Sequence, residues 1–573
     1  MADWSNPLLI SVVMPVYNVD LRWLDLAVES VRRQTYPYWQ LCIAEDASTR
    51  SEIRNYLSAL TDPRISAVFL EVNQGIAAAS NAALALAKGA YVAFLDNDDE
   101  LTPDALLEVA QAIRRYQPDL IYSDEEYVKQ NGRRYAAHFK PNYSPDLLLS
   151  INYICHLTVY RRELLSRIGG FRKGYDGAQD HDLLLRFLDR TDRVIHIPQV
   201  LYRWRRIPGS TAERFDSKHY AWEVGRNAIA DALRRHGVAG TVSLGKSPGL
   251  YQVRREIIGC PKISIIMPFR DRPDLLRTCL DSILVKTTYP NFEVVGVSNS
   301  SQENETYALM EYYKNQDARV HFIRYDRAFN FSAINNYAVS FADGQHIVLL
   351  NNDVEIITPG WLEALLEHSQ RLEVGVVGAK LYYSNNTVQH AGVIIGIGGV
   401  AGHSHKCFLR EDPGYYHRLE AIQNISAVTA ACLMVKKSLY EKMSGFDEKL
   451  AVAFNDIDFC LRLREQGYLN IFTPYCELYH YESRSRGYET TLEKKWRFNQ
   501  ESRYFRYRHA VILSEGDPYY NPNLPINSEN FGLRLRWLRP FAFALRDEWR
   551  CSRSFIRMVI QLINSVGRLV RRW

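Results

Sequence analysis

The chain has 573 residues, too many for one hydrophobic core, and its 47% hydrophobic and 24% charged residues are the composition of a folded globular protein. Length and composition therefore exclude a wholly disordered protein and predict two large domains. The net charge of +5 arises from residues 531–573, where ten arginines against Asp547 and Glu548 give a local charge of +8 and leave −3 for the remainder.

The nine cysteines are scattered and never arranged as Cys-x-x-Cys, so the sequence predicts neither a disulfide framework nor a zinc site. A reducing cytoplasm fits this pattern. Residues 1–7 lack a basic segment followed by an apolar one, and the chain has no run of about 18 apolar residues. We therefore expect neither a secretory signal nor a membrane span.

An internal repeat organises the chain. Three residues recur 255 positions later, and these pairs are Asn81 and Asn336, Gly89 and Gly344, and Asp98 and Asp353. Each half opens with a strand that ends at a proline, over residues 10–15 and 263–268, followed by a helix and a second strand. This alternation predicts a mostly parallel sheet covered by helices on both faces, with ligands beyond the carboxyl ends of the strands. The alternative is a duplicated scaffold whose acidic turns serve solubility.

Further along each half, an apolar strand over residues 91–95 or 346–350 leads into an acidic turn. A helix is then predicted to begin at Thr102 or Thr358, each a hydroxyl N-cap followed by a proline at the first helical position.

The acidic turn of the first half carries Asp96, Asp98 and Asp99. Carboxylates this close repel one another unless a cation is present, so the turn predicts Mg²⁺ or Mn²⁺ bridging a diphosphate. A plain loop, or a helix N-terminal charge, is the alternative. Asp46 ends the second strand, where it can accept the imide N–H of a uracil or thymine ring, and Tyr17 lies just past the first strand, where it can stack.

Each half also contains an Asp-x-Asp that enters a helix, with an arginine four residues after the second aspartate. This spacing predicts an intrahelical salt bridge that makes one carboxylate structural and leaves the other to face the crevice. The residues concerned are Asp180, Asp182 and Arg186 in the first half and Asp456, Asp458 and Arg462 in the second.

Together these motifs resemble glycosyltransferase family 2, whose inverting enzymes have the GT-A nucleotide-diphospho-sugar fold and in many cases build bacterial surface polysaccharides. The resemblance covers roughly residues 8–240 and 260–490. In the first half it rests on SVVMPVYN, NQGIAAASN and LDNDD (residues 11–18, 73–81 and 95–99). In the second half NND, FNDID and HYESRSRG (residues 351–353, 454–458 and 480–487) resemble rhamnosyl- and O-antigen-type members.

The resemblance implies a set of site residues in each half. In the first, these are Pro15, Tyr17 and Asp46 at the nucleotide, Asp96 and Asp98 at the diphosphate and the metal, and Asp180 as catalytic base. In the second, these are Pro268 and Ser298 at the nucleotide, Asp353 and His480 at the metal, and Asp456 as catalytic base. The implied cofactor is Mn²⁺ or Mg²⁺.

The sequence departs from the family pattern at two places. Ser298 followed by Asn299 stands where an aspartate usually contacts the nucleotide, so base contacts differ in the second half. Arg203 stands where relatives of the first half often have a metal-binding histidine. That metal ligand is therefore missing in the first half, and a contact between Arg203 and a phosphate is the alternative.

We therefore predict an α/β chain of two tandem, Rossmann-like GT-A domains over residues 8–250 and 258–515, with a basic amphipathic helical tail over residues 530–573. The predicted function is inverting, metal-dependent and bifunctional sugar transfer from UDP- or dTDP-linked donors to a lipid-linked surface polysaccharide of O-antigen or capsule type. One alternative is that only one domain is catalytic and the other structural or glycan-binding. Others are a non-catalytic assembly scaffold and a nucleotidyltransferase, although the latter's Gly-rich basic loop is missing after the first strand.

The tail mixes arginines with tryptophan, phenylalanine and leucine, a pattern typical of interfacial helices on anionic lipid. We expect peripheral attachment at the inner face of the bacterial cytoplasmic membrane, where a lipid-linked acceptor would be found. The alternative is a helix packed on the catalytic domains. Nucleic acid is not expected as a partner, because no helix-turn-helix, RNA-recognition or zinc pattern accompanies the charge.

Overall fold

A computed structural model describes residues 7–206, 219–482 and 491–532. The chain divides into two compact units between residues 256 and 257, except that residues 518–522 belong to the first unit. The predicted domain bounds, 8–250 and 258–515, stay predictions. Most of the predicted tail, residues 533–573, lies outside the described residues, as do residues 483–487 of the second-half motif. No helix among the described residues is long and apolar enough to cross a membrane.

The first unit contains eleven strands and eight helices among its described residues. The strands are β1 (Ile10–Val16), β2 (Trp39–Glu45), β3 (Ile65–Phe69), β4 (Tyr91–Phe94), β5 (Glu100–Leu101), β6 (Leu120–Lys129), β7 (Arg134–His138), β8 (Thr158–Arg161), β9 (Val194–Arg206), β10 (Gly240–Leu244) and β11 (Tyr251–Arg255). The helices are α1 (Leu21–Arg32), α2 (Ser51–Ser58), α3 (Ile76–Ala85), α4 (Ala105–Tyr116), α5 (Pro145–Ser150), α6 (Arg162–Arg167), α7 (Gln179–Leu188) and α8 (His219–Arg235).

The second unit repeats this series. Its strands are β12 (Ile263–Phe269), β13 (Phe292–Ser298), β14 (Val320–Arg324), β15 (His346–Leu350), β16 (Val354–Ile356), β17 (Val374–Tyr382), β18 (Val388–His390), β19 (Val393–Ile395), β20 (Ala401–His403), β21 (Gln423–Ile425), β22 (Cys432–Lys436) and β23 (Leu469–His480). Its helices are α9 (Pro273–Lys286), α10 (Asn304–Gln316), α11 (Phe331–Val339), α12 (Trp361–Ser369), α13 (Lys437–Lys442), α14 (Asn455–Glu465), α15 (Leu492–Arg508) and α16 (Ala510–Glu515).

The two main sheets share one strand order, which confirms the repeat at the level of topology. The first is β3-β2-β1-β4-β8-β6-β9-β5 and the second is β14-β13-β12-β15-β22-β17-β23-β16. The first four strands of each sheet run parallel, as predicted. The remaining strands mix antiparallel pairs with one parallel pair, β6–β9 or β17–β23.

The positions of the strands and helices follow from the pattern of apolar residues. Strands β1 and β12 are nearly continuous apolar runs, as expected for central strands buried on both faces. Helix α1 buries Leu24, Ala27, Val28 and Val31, which recur at the spacing of one helical face. Asp20 caps this helix, because its carboxylate accepts the N–H of Arg22 at 3.0 Å. The apolar stripe of each such helix therefore packs on the sheet and closes the core.

The repeated asparagines have the same structural role in both units. Asn81 donates to the carbonyl of Phe171 at 2.8 Å and accepts its N–H at 2.9 Å. Asn336 makes the same two bonds with Phe446, both at 2.9 Å. Each asparagine thus satisfies the backbone of a loop that would otherwise be left unpaired beside the sheet.

The repeated glycines allow close backbone packing. The N–H of Gly89 donates to the Ser11 hydroxyl at 2.9 Å, and the N–H of Gly344 donates to the Ser264 hydroxyl at 2.8 Å. A Cβ at Gly89 or Gly344 would lie 2.7 or 2.6 Å from the backbone nitrogen of that serine. Only glycine fits without a backbone shift. The asparagine and glycine pairs, two of the three repeated pairs, are therefore explained without any catalytic role.

One sequence-based expectation is wrong in detail. Helices α4 and α12 begin at Ala105 and Trp361, so Thr102 and Thr358 are not their N-caps. The Thr102 hydroxyl bonds the carboxylate of Asp104 instead, at 3.0 Å. Seven of the eight described cysteines are free thiols.

Asn521, in the segment that belongs to the first unit, donates into a buried ionic cluster. Its Nδ2 lies 3.0 and 2.9 Å from the two carboxylate oxygens of Asp124 and 2.9 Å from the carbonyl of Lys140. Asp124 and Lys140 are both fully buried. A buried carboxylate depends on such donors because it has lost its hydration.

We expect Asn521→Leu to destabilise the first unit by about 1–3 kcal/mol, since leucine cannot donate and leaves the Asp124 carboxylate short of hydrogen bonds. Native-state hydrogen exchange of strands β6 and β9 measures this loss separately from the second unit. Asn227→Leu on the exposed face of α8 is the matched control. Equal protection in the two variants would contradict the prediction.

Candidate active sites

The carboxyl ends of β1, β2 and β4 meet at one edge of the first sheet, because these strands are parallel neighbours. Asp46 follows β2 and is only 2% exposed. Its two carboxylate oxygens accept the N–H groups of Gln74 and Gly75 at 2.8 and 3.0 Å, which fixes the loop before α3. Each oxygen retains a lone pair, and the proposed contact with a nucleotide base stays a prediction.

Two other predicted nucleotide contacts lie at the same edge. Tyr17 directly follows β1 and is 46% exposed, as a stacking residue requires. The carbonyl of Pro15 accepts from Nδ2 of Asn97 at 3.1 Å, which ties the acidic turn to the end of β1. The structure therefore brings Pro15, Tyr17 and the acidic turn together, and their contacts with a ligand stay predictions.

In the acidic turn, Asp99 is anchored and Asp96 is open. One oxygen of Asp99 accepts the N–H of Arg205 and the other accepts the hydroxyl of Tyr202, both at 2.7 Å. The side chain of Asp96 is 43% exposed. Burial and the neighbouring Asp96 carboxylate raise the pKa of Asp98 to about 6. This crowding of acids is what a bound cation would relieve.

His156 joins this turn and is the histidine that motif analysis missed. Its Nε2 lies 3.7 Å from the Asp96 carboxylate. Its ring stacks on Tyr202, with centroids 4.6 Å apart, and meets Trp204 edge-on at 5.3 Å. Arg203 stands where relatives of the first half often have a histidine, and it forms an ion pair with Glu126 at 3.1 Å.

The donors of this turn suit a divalent cation. Among the described residues, ligand atoms of Asp96, Asp99 and His156 all lie within 4.8 Å of one another. Carboxylates with one imidazole are ligands that Mn²⁺ accepts in proteins. Asp98, the predicted metal ligand, is not one of these three, and its role stays a prediction.

The predicted division between the two helix-entering aspartates of the first unit is present. Asp182 is 1% exposed and forms the expected salt bridge with Arg186 at 2.9 Å, together with a bond to Arg172. Asp180 is half-buried and accepts from Nδ2 of Asn152 at 2.8 Å. Asp182 is therefore structural, and the role of Asp180 as catalytic base stays a prediction.

In the second unit, strand pairing brings Asp353 and His480 together. Strand β16 pairs antiparallel with β23, so Val354 lies opposite His480. Nε2 of His480 is 3.2 Å from the carboxylate of Asp353 and 3.2 Å from Nδ2 of Asn351. Its Nδ1 lies 2.7 Å from Oε1 of Gln389, and this bond orients the ring with Nε2 towards Asp353.

The second helix-entering pair repeats the division. Asp458 is fully buried and pairs with Arg462 at 2.8 Å and His509 at 2.9 Å. Asp456 is half-buried and accepts the N–H groups of Ala430 and Ile457 at 2.9 and 2.8 Å. Burial raises the pKa of Asp456 above its usual range, although these two N–H groups oppose the shift. A carboxylate with a raised pKa is a stronger proton acceptor.

Strand register identifies Asn299 as the counterpart of Asp46. The N–H of Asp46 donates to Val16 and that of Asn299 to Phe269, each at 2.9 Å and each one residue past the last β pair. Nδ2 of Asn299 donates to two carbonyls of the loop after β14, both at 2.9 Å. The Ser298 hydroxyl bonds a neighbouring serine, so its nucleotide contact stays a prediction.

Pro268 occupies in β12 the place that Pro15 occupies in β1, opposite Val297 in the register with β13. Its nucleotide contact also stays a prediction.

The family model for glycosyl transferase family 2 matches residues 11–169 and 264–444, which together are more than half of the chain. The chain belongs to glycosyl transferase family 2.

Two curated relatives match nearly the whole chain. The family 2 chain is 47% identical over 544 residues to the uncharacterized protein y4gI of Sinorhizobium fredii, covering 93% of this chain and 59% of that protein. It is 40% identical over 542 residues to the O-antigen biosynthesis protein RfbC of Myxococcus xanthus, covering 93% of this chain and 42% of that protein. The chain thus spans about half the length of these two relatives.

Solved structures show similarity to parts of this family 2 chain. One is residues 1–349 of S. aureus TarS in complex with UDP-GlcNAc, 21% identical, covering 39% of this chain and 66% of that chain with a TM-score of 0.33. Another is the mannosyltransferase PcManGT of Pyrobaculum calidifontis in complex with GDP-Man and Mn²⁺, 16% identical, covering 47% and 69% with a TM-score of 0.34. The family match and the two sheets identify two tandem GT-A-like α/β domains.

The raised pKa of Asp456 predicts the pH dependence of this family 2 chain. In its predicted role of general base, Asp456 acts only when deprotonated, so turnover at the second site should fall as pH drops through a pKa above the usual aspartate value of about 3.9. A pH profile of kcat/KM for that transfer measures the acid limb. Circular dichroism over the same range controls for acid unfolding. Constant kcat/KM down to about pH 4 would contradict the prediction.

Proposed function

We propose that the chain is an inverting, metal-dependent glycosyltransferase with two active sites that builds a bacterial surface polysaccharide of O-antigen or capsule type. The observation that carries this proposal is that each unit has both a half-buried carboxylate at the start of a helix and an acidic turn that contacts a histidine. Asp180 with Asp96 and His156 supports the first site. Asp456 with Asp353 and His480 supports the second.

In this mechanism Asp180 or Asp456 removes the proton of an acceptor hydroxyl, and the oxygen attacks the anomeric carbon opposite the departing nucleoside diphosphate. A single displacement inverts the anomeric configuration. Asp96, Asp99 and His156 would hold Mn²⁺ or Mg²⁺ in the first site, and Asp353 and His480 in the second. When bound, this cation stabilises the charge of the leaving diphosphate. Asp99 and Asp353 are buried, so the turns that carry these ligands are held in place.

The proposed donors are UDP- or dTDP-linked sugars, because Asp46 can accept the imide N–H shared by uracil and thymine. The proposed acceptor is a lipid-linked glycan. The name of RfbC, which refers to O-antigen biosynthesis, supports a polysaccharide product. We place the chain in the bacterial cytoplasm at the inner face of the membrane. The composition of residues 531–573 supports that placement.

One observation favours a second candidate, in which only the first domain is catalytic. Asn299 replaces the acidic counterpart of Asp46, and its amide nitrogen is already bonded to two carbonyls. A second unit with weakened nucleotide contacts would serve as a structural or glycan-binding module. The retained Asp353, His480 and Asp456 geometry favours the two-site function.

Nucleoside diphosphate release from a panel of UDP- and dTDP-sugars, with Mn²⁺ or Mg²⁺ and a lipid-linked acceptor, tests the proposed function. We expect acceptor-dependent release with at least one donor from each site. If every donor is inert and the chain still binds glycan, a scaffold replaces the enzyme. Release that is lost only in Asp180→Asn, and never in Asp456→Asn, would select the single-site candidate.

A further inference from the structure

A groove in the second unit lies beside the start of α14 and is not used by the proposed donor chemistry. It is an open cavity of about 670 Å³ between the turn before β20 and helix α15. Its lining residues include Ile397, Val400, Phe454, Phe498, Arg503 and Arg506. Asp353 and His480, the proposed ligands at the donor diphosphate, do not line it.

The groove is fixed to the loop that positions Asp456. Phe454 precedes α14 in a left-handed conformation with φ of 65°, and its ring contacts that of Phe498 with centroids 5.5 Å apart. Glu501 of α15 accepts the N–H groups of Val452 and Ala453, both at 3.0 Å. Helix α15 is therefore held against the segment that leads into the proposed base.

Two arginines give the groove an uncompensated positive charge. Arg503 and Arg506 are exposed, and neither forms an ion pair within the part of the chain that the structure describes. The same helix also carries Arg508, which is paired with Asp447. Nη2 of Arg506 lies 3.9 Å from the Cβ position of Gly399, whose φ of 85° favours glycine. The turn thus leaves room for the guanidinium at the edge of the groove.

We propose that this groove is the acceptor subsite of the second active site and binds the diphosphate of a lipid-diphosphate-linked glycan. This inference rests on the proposed function. The planar guanidiniums of Arg503 and Arg506 match phosphate oxygens, and the Phe454 and Phe498 rings with Ile397 offer apolar contact to the adjoining prenyl chain.

Binding of farnesyl diphosphate to the full chain in EDTA tests the groove apart from transfer, since chelation silences the metal-dependent diphosphate site. We expect the double variant Arg503→Gln/Arg506→Gln to weaken binding by about 10- to 100-fold. The control Arg277→Gln/Lys495→Gln removes the same charge from exposed positions of the same unit and should bind like the wild type. Equal affinities of the two double variants would overturn the proposal. Equally tight binding of inorganic pyrophosphate would overturn its lipid part.

Steady-state kinetics test the groove proposal separately from the proposed function. With active chain, Arg503→Gln/Arg506→Gln should raise KM for the diphosphate-linked acceptor by about 10- to 100-fold and leave KM for the donor unchanged. The same glycan on an uncharged aglycone should show no such change. Transfer that is insensitive to both arginines overturns the groove alone. Arginine-dependent binding without transfer from any donor overturns the proposed function and leaves the groove in place.

Discussion

Asp456→Asn is expected to lower kcat at the second site by about 10²- to 10⁴-fold, the usual contribution of a general base. Asparagine keeps the shape of the side chain, and its carbonyl oxygen can still accept one of the two N–H groups that bond Asp456. It cannot take a proton from the acceptor hydroxyl. The loss should therefore appear in kcat rather than in donor affinity.

Steady-state kinetics with the donor of the second site, together with donor titration by calorimetry, measure both quantities. Asp343→Asn is a matched control, because it makes the same chemical change in the same unit at a side chain that is 79% exposed. Asp343 precedes β15, at the opposite end of that strand from Asp353. If the kcat of Asp456→Asn stays within threefold of the wild-type value, Asp456 is not the general base.

Chelation with EDTA is expected to reduce both transfers by about 10³-fold, because stabilisation of a leaving diphosphate by a divalent cation is worth several kcal/mol. Added Mn²⁺ should restore them. His480→Ala should raise the Mn²⁺ concentration needed by the second site by about 10- to 100-fold, and His156→Ala should do the same for the first. Each substitution removes an imidazole that contacts an acidic turn.

Transfer measured against Mn²⁺ concentration for each site gives these values, with electron paramagnetic resonance of Mn²⁺ as a direct count of bound ion. His321→Ala on the exposed face of β14 is the control, and it should change neither transfer. Full activity of both sites after exhaustive chelation would show that neither transfer depends on a divalent cation.

Much of the architecture follows from local sequence. The apolar strands, the helices between them and the 255-residue offset predict two mostly parallel α/β sheets, and the first four strands of each sheet are parallel and follow the same order. The salt bridges of Asp182 and Asp458 follow from i,i+4 spacing alone. These features depend on neighbours in the chain, so periodicity and spacing predict them.

The missed residues depend on contacts between distant segments. His156 reaches the acidic turn because β8, which follows it, pairs with β4, and nothing in its own surroundings in the sequence marks it. The position of Asn299 follows from a register with β12 that differs by one residue from the motif-based choice of Ser298. Asn521 bonds Asp124 from 397 residues away. These contacts join segments that are far apart in the sequence, so no local sequence motif predicts them.

The central claim is that one chain carries two independent catalytic sites, and product linkage analysis of Asp180→Asn, Asp456→Asn and the double variant tests it most directly. Each variant is incubated with both donors and with acceptors that end in either sugar of the growing glycan. We predict that each single variant loses a different linkage, that mixing the two single variants restores both, and that the double variant forms neither. Loss of both linkages in one single variant, with no change in the other, would show one active site and contradict the account.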